Sequence, residues 1–484
     1  MRVKTVQINW HDKLPIFSVD FDHCYTGRGW RFATGGGDNN VRIWRLRTPE
    51  EREEDTQAPA VEFVANLTRH TAPVNVVRFS PHGSRLASAG DDGAVIIWRQ
   101  VAAEHDRAPD EGETWRPAAM LRGSLADICD LAWSPDGAFL ASASVDNTTR
   151  IWDARDARCV QVLADHSHYV QGVAWDPLGQ FLATQSSDRS LRVYRWTAGT
   201  TRGVKAGADV ARLAATHYSM PAMDQPTTAG TTRDHSLAAG AASDHSLAAD
   251  AVADQPPATE IVADQPLAAT GTAADQAAAG ASRKQRLFHD DNLASFFRRP
   301  SVSPDGRLLA TAAGVQRDGT NRTNACLVWA RDGLRGPPAM SLAGHQKPVV
   351  AVRWAPCEFD GGACWAQDAP RMVLGVASQN AVAVYDTSVG ARAVAFMGGL
   401  HYAAITDLAW TADGSHMVIV SIDGFASLAS LDQPTAARPM RAHVPAEAQG
   451  REHAVQAAPR AADAGAAGPK TGRKRLAPTL VSSL

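Results

Sequence analysis

Residues 74–98 read VNVVRFSPHGSRLASAGDDGAVIIW, and this stretch decides the fold. VNVVRF alternates in period two, which puts successive side chains on opposite faces of a strand. SPHG (80–83) supplies turn geometry, because Pro fixes φ and Gly accepts a positive one. A second strand ends in small residues at LASAG, a polar turn carries Asp92, and a third strand closes on Trp98.

The unit recurs, and internal repetition of this kind marks a repeat architecture. IFSVDFDH with RFATGGGDNNVRIW precedes it and closes on Trp44. DICDLAWSPDGAFLASASVDNTTRIWD (127–153) and YVQGVAWDPLGQFLATQSSDRSLRVY (169–194) follow. Weaker copies are ASFFRRPSVSPDGRLLATAAG, closing on Trp329, and VVAVRWAPCEF through SQNAVAVYD, closing on Tyr385. The last, ITDLAWTADGSHMVIVSIDGFASLASL (405–431), has no terminal aromatic. Seven copies predict an all-β chain, a seven-bladed β-propeller of WD repeats. The seventh copy shows three clear strands, so residues 3–10, VKTVQINW, are the expected fourth. Such a closure removes the free edge of the ring.

An Asp stands six residues before the aromatic in four copies: Asp38, Asp92, Asp146 and Asp188. In WD repeats this Asp joins a hydrogen-bonded group with a His, a Ser or Thr, and the aromatic. The candidate groups are His70, Ser88, Asp92, Trp98 and His166, Thr184, Asp188, Tyr194, with Tyr in place of Trp. Their role is structural, satisfying polar atoms buried within a blade. A Ser, His and Asp in one repeat superficially match a hydrolase triad. Recurrence of a similar trio in another blade argues for a fastening, so no catalytic residue is expected.

Composition excludes other classes. The net charge of −3 is wrong for a polycation that wraps nucleic acid, and direct DNA binding is not expected. The six cysteines form no CxxC pair, so neither a metal nor a cofactor is expected. Cys357 and Cys364 alone are close together, and buried or loop thiols explain them. The first residues resemble no secretory signal, and no run approaches the roughly 20 apolar residues that cross a bilayer. The expectation is a soluble intracellular protein without membrane association.

The repeat is interrupted. Blades 1–4 are expected within residues 1–197 and blades 5–7 within 283–432. Between them, 198–282 holds Ala/Asp/Thr-rich text with imperfect copies of one unit (DHSLAAG, DHSLAAD, DQPLAAT) and few aromatics. It has little to bury against the entropy of ordering and is expected to be disordered. PEEREEDTQAP (49–59) and AEHDRAPDEGET (103–114) are acidic or polar loops, either solvated or attractive to basic partners such as histones. Residues 433–484 are expected to be a disordered tail whose end differs: 472–484 read GRKRLAPTLVSSL. A basic cluster before alternating apolar residues suits nuclear import, nonspecific electrostatics, or a strand added to a partner's sheet edge.

The chain resembles the family of WD-repeat middle subunits of chromatin assembly factor 1. The resemblance is carried by INWHDKLPIFSVDF, VEFVANLTRHTAPVNVVRFSP, ASASVDNTTRIWD, HSHYVQGVAWDPLGQFLATQSSDRSLRVY and RLFHDDNLASFFRRPSVSPDGRLLATAAG. It implies a nuclear, non-catalytic scaffold within a histone chaperone complex that deposits histones during replication and repair. Implied partners are the large and small subunits of that factor, the anti-silencing-function histone chaperone, and core histones, directly or through partners. Residues 472–481 look like the segment that docks on the chaperone. Arg473, Lys474 and Arg475 would lie on acidic surface, and Leu476, Pro478, Leu480 and Val481 would supply apolar contacts. Phe296, Phe297, Arg298 and Arg299 are a candidate edge for the large subunit; otherwise one Phe is core and the arginines are solvated. Two alternatives stand beside this reading. One is the replication-independent histone chaperone of the same superfamily. The other is a substrate receptor of a cullin-RING ubiquitin ligase, suggested by Trp152-Asp153-Ala154-Arg155.

Overall fold

The computed structural model describes residues 2–6, 8–48, 51, 60–101, 113–124, 126–196, 210–211, 286–318, 321–359, 365, 370–431 and 437–439. They form seven four-stranded antiparallel sheets, the blades of a β-propeller. Six run inner to outer in chain order. In blade 2, Val74–Phe79, Arg85–Gly90, Ala94–Val101 and Thr114–Arg122 are hydrogen-bonded in sequence.

Period-two alternation dictates how the blades stack. Every residue of Val74–Phe79 is buried, because an inner strand is covered by a blade on each side. In Val373–Ser378 of blade 6, Val373 and Ala377 pack toward blade 7, whereas Leu374 and Val376 pack toward blade 5. Seven apolar clusters result, each filled from two adjacent blades. Gly375 lies where a Cβ would sit 3.0 Å from Leu408 Cδ1, so the seam between blades 6 and 7 closes onto backbone there.

Blade 7 takes its outer strand from the other end of the chain. Arg2–Val6 pairs antiparallel with Ala426–Ser430, from Arg2 opposite Ser430 to Val6 opposite Ala426. The strand is shorter than residues 3–10. Trp10 instead turns inward, nearly fully buried, and its indole N–H donates to the Val6 carbonyl at 3.1 Å. Its ring lies 4.8 Å from Trp44, in the cluster shared by blades 7 and 1.

Two short strands fall outside the expected domain bounds. Val210–Ala211 pairs with Val193 and Tyr194 as the outer strand of blade 4, beyond residue 197. Ala437–Pro439 pairs with Cys357–Phe359, an excursion of blade 6. Strands of two or three residues are too short for alternation to announce them. The rest of 198–282 and of 433–484 lies outside the described residues.

Deleting residues 1–10 removes a closing strand and a buried Trp together. The thermal unfolding midpoint should fall by at least about 5 °C, measured by differential scanning fluorimetry. An unchanged midpoint would show that the ring does not depend on this closure.

Candidate interaction surfaces and the sealed channel

Residues 296–299 do not form an exposed edge. Phe297, Arg298 and Arg299 are buried, and only Phe296 is half-exposed. The solvated-arginine alternative fails as well. The segment does not run as an ordinary inner strand, whose blade 5 counterpart is only Ser301–Val302. It laces two other blades together instead: Arg298 N–H donates to Gln171 O of blade 4, and Arg299 N–H to Val350 O of blade 6. Val352 N–H returns a bond to Arg299 O.

This lacing drives the Arg299 side chain across the propeller axis. Its guanidinium donates to Asn75 O at 2.7 Å, Phe17 O at 2.9 Å and Thr406 O at 3.0 Å, from blades 2, 1 and 7. It pairs with Asp407 at 3.0 Å, approaches Asp130 at 3.6 Å, and lies 4.0 Å from the centre of the Phe297 ring. Arg78 completes the cluster, bonding Asp130 at 3.0 Å, Asp407 at 3.1 Å and Ser18 Oγ at 2.9 Å. Arg353 adds a third cation 3.5 Å from Asp407. Arg298 turns to the adjacent carbonyls of His289 and Asp290.

The charges control one another. Burial alone would raise the Asp407 carboxyl, but Arg299, Arg78 and Arg353 hold it at about 2. Burial lowers Arg299 to about 10, still charged at neutral pH. A desolvated ion costs several kcal/mol unless it is paired and hydrogen-bonded, and here both conditions are met. Arg299, Asp130 and Asp407 have no solvent exposure, so the axis is closed at this level. The sequence signal is a single charge inside each of four largely apolar strands, VNVVRF, ICDLAW, VVAVRW and ITDLAW.

The predicted His, Ser/Thr and Asp groups do come together. In blade 2, His70 bonds Asp92 at 2.9 Å and Ser88 Oγ at 2.7 Å, and the Trp98 indole donates to the same Oγ at 2.8 Å. In blade 4, His166 bonds Asp188 at 2.8 Å and Thr184 at 2.7 Å, with Tyr194 buried beside them. Blade 1 holds a group not anticipated, in which His11 bonds Asp38 at 2.6 Å and Thr34 at 2.7 Å while Trp44 donates to Thr34. His11 follows the closing strand just as His70 follows the outer strand of blade 1, so each group latches a blade to its neighbour. The bonding order matches a hydrolase triad, but the Ser88 hydroxyl is fully buried and already bonded to two side chains. No substrate reaches it.

Exposed apolar side chains lie elsewhere. Leu14, Tyr402, Ile422 and Phe425 are exposed on adjoining loops of blades 7 and 1, where Tyr402 N–H donates to Asp423 and a Cβ on Gly424 would sit 2.8 Å from Leu14 O. On the rim of blade 6, Val394 and Phe396 stand exposed on the outer strand Ala393–Gly398. Of the acidic loops, the described Glu51 and Glu113 pair with Arg45 and Arg31 within the propeller. Trp152 and Asp153 are also used internally: the indole donates to Ser142, and the carboxylate accepts Arg155 and Asp156 N–H. Cys357 is a buried free thiol, and Cys364 lies outside the described residues. Among the described residues no His/Cys/Asp/Glu group is arranged to hold a metal ion, and no helix is long and apolar enough to cross a membrane. Arg473, Lys474, Arg475, Leu476, Pro478, Leu480 and Val481 lie outside the described residues.

Two expectations follow for stability. Replacing Arg299 by Met removes one cation from the buried cluster, leaves Arg78 as the direct partner of both Asp407 and Asp130, frees three carbonyls, and should cost about 3–5 kcal/mol in urea unfolding. Arg158→Ala, breaking the surface pair with Asp156, should cost at most about 1 kcal/mol. Equal effects would deny the axial cluster its role. The second expectation concerns pH. Asp38, where burial is overcome by the bond from His11, and Asp407 are both held at about 2. Their unfolded counterparts titrate near 4, so this stabilisation is complete above that range and lost as pH falls toward 2. Burial lowers His11, His289, His345 and His401 as well. The unfolded state therefore takes up those protons first, and stability already declines as pH falls through about 6.5. Asp20 and Asp127, raised by burial, act in the opposite sense. The net expectation is a midpoint that drops between pH 7 and 5.5 and again below 4; a flat calorimetric profile would contradict it.

The model of the CAF1B/HIR1 beta-propeller domain matches residues 1–218 and 259–434. The CAF1B-type subunit of chromatin assembly factor 1 from Mus musculus is 34% identical over 463 residues, covering 91% of this chain and 68% of that protein. Its counterpart in Saccharomyces cerevisiae is 32% identical over 469 residues, covering 90% and 87%. Protein HIRA of Zea mays is 39% identical over 158 residues, 32% of this chain and 16% of that protein. Both halves of the ring are thus matched by the first two and about one third of the chain by the last, so the chain belongs to the CAF1B family of chromatin assembly factor 1 subunits, with a CAF1B/HIR1-type β-propeller.

Proposed function

We propose that the chain is a non-catalytic scaffold of the chromatin assembly factor 1 complex, acting in the nucleus to support replication- and repair-coupled deposition of histones. The observation that carries this reading is the extent of the family match, which runs through both propeller segments. Its partners are the large and small subunits of the factor, the anti-silencing-function histone chaperone, and core histones received directly or through those partners. The closed axis and buried Ser88 support it, since they leave loops and rim for binding. Residues 472–481 dock on the chaperone. Arg473, Lys474 and Arg475 meet acidic surface through charge-assisted contacts, and Leu476, Pro478, Leu480 and Val481 supply the apolar ones.

Changing Arg473, Lys474 and Arg475 to Ala should weaken chaperone capture at least about tenfold while the unfolding midpoint stays put. Quantitative pulldown of the full chain checks it. If capture survives both that change and deletion of 472–484, the docking assignment is wrong. Recovery of a cullin-ligase adaptor in place of histones would overturn the scaffold reading.

A further inference from the structure

The outer strand of blade 6 is an unguarded sheet edge. Among the described residues, Ala393–Gly398 is hydrogen-bonded on one side only, to Ala381–Asp386. Its sequence, AVAFMG, holds no charge and no proline. Natural edges are normally blunted by such residues or by being very short; four other blades carry such residues, and the blade 4 edge, Val210–Ala211, is only two residues long. The outer strands carry Glu62 in blade 1, Arg116 and Pro117 in blade 2, Arg158 in blade 3, and Arg2 and Lys4 in blade 7. Blade 5 also lacks a charge, but it exposes only Ala343 and Gly344. Blade 6 instead presents Val394 at 47% and Phe396 at 64% exposure, two residues apart and so on one face of the strand.

The end of this same chain is delivered to that blade. Ala437–Pro439 pairs with Cys357–Phe359 of blade 6, and 45 residues follow Pro439. Near their end Leu476, Pro478 and Leu480 recur at the spacing of two that lines one face of an extended strand. The 36 residues between Pro439 and Leu476 span on average roughly 30 Å even as a coil. A blade of four strands is only about 14 Å across. We infer that residues 476–481 add as a fifth strand to the outer edge of blade 6, covering Val394 and Phe396. Proline fixes the orientation. Pro478 has no N–H, so Leu476, Pro478 and Leu480 turn their backbone away from the ladder, and Ala477, Thr479 and Val481 bond to it. On the proposed function these residues also dock on the histone chaperone, so the two contacts exclude each other and the propeller withholds the segment until the chaperone takes it.

Hydrogen exchange on the full chain tests this. Amides of 393–398 should exchange more slowly than in a chain lacking 472–484, at every protein concentration. A synthetic 472–484 peptide should bind the shortened chain by fluorescence anisotropy. Thr479→Pro in the peptide should weaken binding at least about tenfold by removing a ladder N–H, whereas Pro478→Ala should not. V394E/F396E in the propeller should abolish binding with the unfolding midpoint unchanged. Equal exchange in both chains, or undiminished binding of the Thr479→Pro peptide, overturns the inference. Protection that appears only as the chain dimerises also overturns it, since a second copy is then the occupant. Chaperone capture is read separately, so capture that survives deletion of 472–484, with the blade 6 contact present in the full chain, would refute the docking assignment alone.

Discussion

The Arg299 guanidinium and the Asp407 carboxylate meet on the axis of the propeller, 3.0 Å apart and without solvent exposure. Seven wedge-shaped sheets in a ring leave a hole where their inner strands converge, and its filling decides whether the ring is rigid. Arg299 fills it with a side chain that bonds carbonyls of blades 1, 2 and 7 while its backbone bonds blade 6. Such a charge is tolerable because Asp407 and Asp130 lie beside it and three carbonyls accept from its two terminal nitrogens. The contact joins parts of the chain more than 280 residues apart, Phe17 and Arg299. It is therefore available only once the ring has closed.

Closure and latching are one device repeated. His11, His70 and His166, each just past an outer strand, reach a Thr or Ser and an Asp in the next blade. The N-terminal strand is the outer strand of the seventh repeat displaced to the front of the chain, so His11 latches blade 1 as if it followed blade 7 directly. Non-covalent closure of this kind leaves no free edge between first and last blade.

The consequence for function is that the interior is committed to holding itself together. The His11, His70 and His166 rings are buried and bonded through both nitrogens, and the axis admits no ligand at the level of Arg299. Exposed apolar side chains lie on the perimeter, on loops such as those bearing Leu14 and Tyr402 and on rims such as Val394 and Phe396. This suits a component of a chromatin assembly factor, for which a rigid body with several separate faces serves better than a cleft.

The repeat by itself determined the architecture, because alternation and turn residues are local and recur seven times. It also determined the groups around Asp92 and Asp188, whose members sit at fixed offsets within a unit. Three features were decided by tertiary structure alone. Phe296–Arg299 looked like an exposed edge when read as a strand, but its neighbours in space are Gln171, Val350 and Asp407, which no local spacing reveals. His11 precedes the first repeat, so its partnership with Asp38 and Thr34 appears only when the ring shuts. The free edge of blade 6 emerges the same way: AVAFMG reads as an ordinary apolar strand until the sheet order shows that no described strand pairs with its far side. Local patterns encode which elements form, whereas pairing of charges and exposure of edges depend on contacts between residues far apart in the chain.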